Sequence, residues 1–394
     1  MPNPPSTRHM ARLDNANNAR GPGLRRRAER RAAGLLVAIL LCVFAPAAFS
    51  QPGTVRHVIH ISVDGLRPDA VTRQGPGRLP NFYRLRTEGA ITDNARTDYD
   101  YGNTLPNHVA QLTGRPVLGE GGHHWTTNRD PRPGQTLHSQ RGAYVASAFD
   151  VVHDAGLRTG VYASKSKFIL LDRSYDAMRG APDVTGDDDG RDKIDAFVYD
   201  TDTEDLVERF ARDMASQPHA YAFLHLRDPD TQGHRFGWRM WNWHPYMRAV
   251  RRVDALLGRV LDLVENDPRL AGNTAIILTS DHGGSGHRHG ADNAEHYTVP
   301  FYVWGPGVPT GDLYNLNQGL RGDPLGGRPG FDAQLQPIRN GAAANLGLAL
   351  LGLDPVPGSS INTASRMRVW PAVDLGERGT AAGDVAGARG ASRR

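Results

Sequence analysis

The sequence predicts an α/β protein: a mostly parallel central sheet, helices on both faces, and loop or cap insertions. Two observations carry this. Apolar runs of strand length recur along the chain, and patterns of helical period lie between them, which is the signature of βαβ units. In chain order, His57–Val63 (HVIHISV) reads as a buried strand, and residues 79–88 and 106–112 read as helices. Thr159–Ala163 is the next strand, followed by a helix over 204–215 and a strand over 220–226 (AYAFLHL). A helix over 247–265 places Val250, Val253, Leu256, Leu257, Val260, Leu261 and Val264 on one face. Strands at Thr274–Thr279 (TAIILT) and 299–304 complete the pattern. The connections at 115–140 and 176–200 are too long for a minimal unit and read as insertions, a lid or cap. There is no internal repeat.

The chain has 394 residues, 39% hydrophobic and 22% charged, as expected of a globular protein with a sizeable core. Its net charge of +4 is unevenly placed. Residues 1–50 hold eight Arg against Asp14 and Glu29, so the remainder is slightly acidic. The basicity belongs to the leader, and no nucleic-acid binding surface is expected on the body.

That leader reads as a secretory signal. Arg25, Arg26, Arg27, Arg30 and Arg31 precede an apolar run over 32–48, and Ala48 and Ser50 are the small residues of a cleavage site before Gln51. The run is short of the ~20 residues of a membrane span, and Pro46 breaks its end. The expected organisation is a signal peptide with a disordered start over 1–50, one functional domain over 51–374, and a flexible tail over 375–394. The protein is then exported, periplasmic or secreted, with membrane attachment only if the leader is uncleaved. The single cysteine, Cys42, leaves with the leader, and Leu41 before it is a poor fit to a lipoprotein site. Without thiols, a bound metal must be held by His and carboxylate.

Three predicted strands end alike. The first runs into Asp64-Gly65, the 220–226 strand into Asp228-Pro229-Asp230 and then His234, and Thr274–Thr279 through Ser280 into Asp281-His282-Gly283-Gly284. One Asp-Gly after a strand is an ordinary turn. Three such ends, all with Asp and two with His, are not. In open α/β sheets, ligands bind beyond the carboxyl ends of the strands, so the three can converge. Asp and His suit a borderline divalent ion such as zinc. Asp230 and His234 are four residues apart, in reach of one ion from a single turn; Gly283 and Gly284 give the freedom to share one between Asp281 and His282.

The stretch Thr104-Leu-Pro-Asn-His108 opens a helix, with Thr104 at or near its N-cap and Pro106 in the first turn. On its own Thr104 is a capping residue. Beside a metal, at the positive end of a helix, it is also a nucleophile.

In these segments the sequence resembles the alkaline phosphatase superfamily, and within it the nucleotide pyrophosphatase/phosphodiesterase type. The matching pieces are Asp64-Gly65, Thr104-Leu-Pro-Asn-His108, Pro229-Asp230-Thr-Gln-Gly-His234, Ser280-Asp281-His282-Gly283 and His289-Gly-Ala-Asp-Asn293, in the family's order. The resemblance implies an alkaline phosphatase-like fold and a metal-dependent phosphoric ester hydrolase with two divalent ions, zinc by expectation. It assigns Asp230, His234 and His289 to one ion, and Asp64, Asp281 and His282 to the other, with Thr104 bridging toward it as nucleophile through a phospho-threonine intermediate. Asn128 stands where the family hydrogen-bonds a phosphate oxygen of the small phosphate ester substrate. His287 and His296 are read as spare histidines. A phosphomonoesterase, phosphonate hydrolase, phosphotransferase or sulfatase on the same scaffold is the alternative, and a non-catalytic ligand-binding protein the alternative of another class. A sulfatase would need Cys or Ser where Thr104 stands.

Three features stay outside this set. Phe236, Trp238, Trp241, Trp243 and Tyr246 form an aromatic concentration after His234, either a substrate contact or loop packing. Asp187-Asp188-Asp189-Gly190 reads as a solvated acidic turn rather than a calcium loop. Lys165 and Lys167 read as exposed lysines rather than as partners of a phosphate or carboxylate. N-terminal sequencing of the exported protein is expected to begin at Gln51; a chain still carrying residues 32–48 would mean that the leader is retained.

Overall fold

The computed structural model describes residues 55–182, 190–363 and 366–369. The leader, the acidic turn at 187–189 and the tail lie outside the described residues. Among the described residues, eight strands form one sheet: β1 (His57–Val63), β2 (Ala90–Arg96), β3 (Thr159–Ala163), β4 (Ala196–Tyr199), β5 (Tyr221–Leu226), β6 (Thr274–Thr279), β7 (Thr298–Trp304) and β8 (Gly311–Asp312). Their order is β4-β3-β5-β1-β6-β7-β2-β8. From β4 to β6 all neighbours are parallel, while β7 runs antiparallel to both β6 and β2. The sheet is mostly parallel, as predicted.

Successive side chains on a strand point to opposite faces, and the sheet separates two cores accordingly. Val58, Phe223, Ile277 and Phe301 face one core, shared with Leu105, Val109 and Leu112 of the helix Thr104–Thr113. Ile59, Ile61, Leu224 and Leu278 face the other, against the helices Pro245–Asn266 and Thr203–Ser216. The predicted stripe from Val250 to Val264 is buried there. Seven aliphatic side chains at roughly 1.5–3 kcal/mol each hold that helix by packing, whatever its exposed residues prefer.

The helix Thr104–Thr113 is of another kind, because all ten of its residues are buried. Two of its polar side chains, His108 and Gln111, pair with the sheet. His60 on β1 donates from Nε2 to Gln111 Oε1 (3.2 Å) and accepts at Nδ1 from the Tyr221 hydroxyl (2.9 Å). Ser62 on the same strand donates to His108 Nε2 (2.8 Å), whose Nδ1–H reaches the Thr104 carbonyl (2.8 Å). These bonds fix the helix in register against the central strand.

Three elements differ from the sequence expectation. Part of the predicted 176–200 insertion is a strand: β4 pairs with β3 at the sheet edge, and it was missed because it is only four residues long and half-exposed. The segment 228–236, given no element from the sequence, is a helix (Asp228–Phe236) with Pro229 in its first turn and few apolar residues. Strand β2 also escaped, since AITDNAR carries few apolar residues and a register shift between Thr92 and Ala95.

Burial pushes the imidazoles of His60 and His123 down to about 3. In the unfolded chain they titrate near their ordinary value, so their contribution to stability is complete above pH ~6.5 and is lost as pH falls toward ~3, by about 2 kcal/mol each at pH 5. The denaturation midpoint is expected to drop between pH 7 and pH 5, and His60→Gln should remove its share of that drop. An identical acid limb in the variant would contradict this.

Candidate metal and nucleophile site

Because β1 lies between β5 and β6, the carboxyl ends of these three strands are side by side. Strands in a sheet are ~4.8 Å apart, so side chains just past their ends meet. The backbone tightens the junction: Asp230 N–H donates to the Asp64 carbonyl (3.0 Å), and Gly65 N–H to Asp281 Oδ1 (3.1 Å). Residue 65 must be glycine. Its φ is +71°, and a Cβ there would come within 2.9 Å of Asp230 Cα. Gly283 is needed for a different reason than turn freedom: its φ is not positive, but a Cβ would lie 2.1 Å from the Glu295 carbonyl oxygen.

Three histidines converge with the carboxylates, and each is oriented in the same way. His282 Nδ1 lies 2.8 Å from the Gly283 carbonyl, His289 Nδ1 2.9 Å from the Gly102 carbonyl, and His234 Nδ1 3.0 Å from the His287 carbonyl. A carbonyl only accepts, so each neutral ring carries its proton on Nδ1 and turns the Nε2 lone pair inward. His282 Nε2 faces Asp281 Oδ2 (3.1 Å), Thr104 Oγ1 (3.2 Å), Asp64 Oδ1 (3.6 Å) and Asp230 Oδ1 (4.0 Å). Nε2 of His234 and of His289 are 3.3 and 4.0 Å from Asp230 Oδ1. Asp64 Oδ1, Asp230 Oδ1 and Asp281 Oδ2 are buried without a hydrogen-bond partner. Lone pairs facing unpaired carboxylate oxygens repel unless a cation lies between them. The donor atoms form two sets with ligand spacing, Asp230–His234–His289 and Asp64–Asp230–His282. Asp230 belongs to both, and Asp281 adjoins the second through His282.

Of the remaining candidates, His287 bonds the His234 carbonyl and His296 bonds Ser285 and Ala291 N–H, so neither enters the cluster. Thr104 is not a cap. Asn103 holds the N-cap position, and the buried Thr104 hydroxyl faces His282. Asn128 Oδ1 accepts from Leu105 N–H (2.9 Å) and Lys167 Nζ (3.1 Å), which assigns the amide orientation and leaves its NH₂ group directed elsewhere.

The reading of the lysines fails at Lys165. Its side chain is 15% exposed, and Nζ sits 2.7 Å from Asp64 Oδ2 and 2.6 Å from Asp230 Oδ2. It thus holds the outer oxygen of each carboxylate while the inner one faces the histidines. His225 Nε2 also donates to Asp64 Oδ2 (2.9 Å), with its Nδ1 accepting from Ser164. Burial would raise the Asp64 carboxyl, but Lys165 and His225 hold it well below the usual range. For Asp230, burial and the Asp64 charge push upward and Lys165 and His234 pull the net shift down. Asp281, raised by burial and by the Asp64 charge, is held well above the usual range. Burial and the neighbouring His289 push His282 down to about 3, so its ring is neutral.

Sequence reasoning also missed Asn340. Its NH₂ donates to the Ser280 carbonyl (3.1 Å), the Asp281 carbonyl (3.3 Å) and Asn107 Oδ1 (3.3 Å), and Asn107 in turn holds the Tyr101 and Asn103 carbonyls. One amide therefore ties the Asp281 loop to the Thr104 loop. Lys165 follows β3, which adjoins β5, so its arrival was readable only from the strand order; Asn340 lies outside every motif.

Residues 58–299 match the family of type I phosphodiesterases / nucleotide pyrophosphatases. The chain belongs to that family. Mouse GPI ethanolamine phosphate transferase 1 is 30% identical over 147 residues, 34% of this chain and 14% of its own. Human ectonucleotide pyrophosphatase/phosphodiesterase family member 1 is 24% identical over 252 residues, 60% of this chain and 24% of its own. The chain therefore spans only a minor part of these relatives. Among solved structures, murine ectonucleotide pyrophosphatase/phosphodiesterase 5, an inactive threonine-to-alanine form with AMP, superposes with TM-score 0.52 at 17% identity, covering 77% of this chain and 96% of its own. A 2-O GAG sulfatase gives 0.51 at 14%, covering 78% and 72%. The fold is the alkaline phosphatase-like one that these proteins share, a phosphoester hydrolase-type scaffold.

Lys165→Met is expected to leave two buried carboxylates without their cation and to cost the metal-free protein about 3–5 kcal/mol. Thermal melts in chelator should fall by several degrees, and added zinc should recover part of the loss. A variant that melts like the parent in chelator would show that the pair is not what neutralises the site.

Proposed function

We propose that this protein is an exported phosphodiesterase or nucleotide pyrophosphatase, dependent on two divalent ions, with Thr104 as nucleophile. One observation carries the reading: three histidines pinned at Nδ1 by main-chain carbonyls aim Nε2 at orphaned carboxylate oxygens beside a buried threonine hydroxyl. This donor set fits zinc. Asp230, His234 and His289 would hold one ion. Asp64, Asp281 and His282 would hold the other, with Thr104 beside it. When bound, the ions lower the pKa of the threonine hydroxyl and neutralise phosphate oxygens.

The Thr104 hydroxyl gives its proton to solvent, Oγ1 attacks phosphorus in line, the bond from phosphorus to the leaving oxygen breaks, and that oxygen leaves with the electron pair and takes up a proton from solvent. Water then hydrolyses the phospho-threonine, restoring the hydroxyl. The chain's own part is positioning. The Asn128 amide, oriented by Leu105 and Lys167, presents its NH₂ to a phosphate oxygen, and the buried helix Thr104–Thr113 keeps the nucleophile in place. The inactive threonine-to-alanine form of the murine structure supports the role given to Thr104. A signal peptide over 1–50 and a catalytic domain over 51–374 complete the proposal. The likeness to GPI ethanolamine phosphate transferase 1 gives the second reading, in which an alcohol replaces water as acceptor in the second step.

Purified protein is expected to carry zinc and to hydrolyse bis-p-nitrophenyl phosphate faster than p-nitrophenyl phosphate, with the sulfate ester inert and chelator abolishing turnover. Thr104→Ala should lower kcat by about 10³-fold or more; undiminished activity would remove it as nucleophile. Product transferred to added glycerol in preference to water would favour the second reading.

A further inference from the structure

The aromatic segment after His234 divides into two groups. Trp238 and Tyr246 are buried, both donating to the Gly65 carbonyl (2.9 and 3.1 Å). Between these anchors the chain turns outward. Trp241 and Trp243 are 51% and 68% exposed, with their rings 5.2 Å apart and tilted by 30°. The turn is held, since His244 N–H donates to the Trp241 carbonyl (2.7 Å) and Arg251 to the Asn242 carbonyl (2.9 Å). Phe236 is a third exposed ring, at 39%. Rigidly displayed tryptophans on a surface call for a partner.

The charge beside them in the chain is mainly positive, with the exposed Asp292 just beyond. Residues 233–248 and the adjoining loop 283–291 contain Arg235, Arg239, Arg248 and Arg288, all exposed, and no carboxylate, although the body outside the leader is slightly acidic. The two loops are joined, with Trp238 N–H donating to the Gly286 carbonyl and His234 and His287 exchanging ring-to-carbonyl bonds. The patch thus borders the half-exposed His234 side of the metal site. Arg239 lies over the Trp241 ring at 5.2 Å and Arg235 over Phe236 at 5.0 Å.

We propose that this aromatic and cationic rim docks the protein on an anionic phospholipid surface. Indole rings are favoured at the headgroup level, where apolar body and polar N–H are both accommodated, and neighbouring arginines meet lipid phosphates. Aromatic rings with arginines also bind single-stranded nucleic acid, but that requires open ring faces for stacking. Here Arg239 lies over the Trp241 ring and the two indoles are tilted against each other, so fewer ring faces are open. Docking by this rim brings the His234 side of the site to the headgroup layer. Taken with the phosphodiesterase activity proposed above, on which it rests, this placement makes the substrate class a membrane-borne phosphodiester.

The test uses the full-length mature protein, its Thr104→Ala form and the double variant Trp241→Ser/Trp243→Ser in co-sedimentation with vesicles. Mature protein and Thr104→Ala should both bind phosphatidylcholine vesicles containing phosphatidylglycerol, weakly bind phosphatidylcholine alone, and release at high salt. The double variant should bind about tenfold or more weakly, with circular dichroism and hydrolysis of bis-p-nitrophenyl phosphate unchanged. Equal vesicle binding by the double variant overturns the proposal. So does binding of single-stranded DNA, lost in the double variant, without vesicle binding. Vesicle binding by Thr104→Ala stands whether or not the catalytic reading does.

Discussion

Three buried carboxylates at neighbouring strand ends repel one another, and much of the surrounding structure answers that repulsion. Lys165 bridges the outer oxygens of Asp64 and Asp230. The inner oxygens have no hydrogen-bond partner and face imidazole lone pairs, the arrangement of a candidate site for a divalent cation. The division of labour within each carboxylate lets one group be both an internal ion-pair partner and a metal-ligand candidate. A lone lysine and an ion pair would otherwise be weak evidence of anything, since buried pairs often stabilise little. Here the orphaned oxygens give the pair its meaning.

The second layer of support is amide and imidazole rather than charge. His60 and His108 link the central strand to the buried helix, and Asn107 with Asn340 links the helix entrance to the Asp281 loop. The Thr104 hydroxyl is placed from two sides, by the helix it begins and by His282. Such a site tolerates little movement, which suits chemistry that depends on alignment more than on closure.

Much of this was legible in the sequence, for identifiable reasons. The alternating runs give the parallel sheet because buried strands and amphipathic helices have different periods. The convergence of Asp64, Asp230 and Asp281 follows from all three standing at strand ends. What stayed hidden depends on sheet order and on local chains without apolar signal. Lys165 is a charged residue in a Ser-Lys-Ser-Lys stretch, and only the adjacency of β3 to β5 brings it to the carboxylates. The helix Asp228–Phe236 has few apolar residues, so its extent was not legible, although the four-residue spacing of Asp230 and His234 already set them on one side of a turn.

The histidine anchors are main-chain oxygens, those of residues 102, 283 and 287. Replacing an amino acid does not delete a carbonyl. Ring orientation is thereby insulated from drift in the identity of the residues that secure it, and is exposed instead to insertions and deletions that change loop length. Descendants of such a site are free to diversify the chemistry of their rims by point mutation while the inner geometry is inherited unchanged.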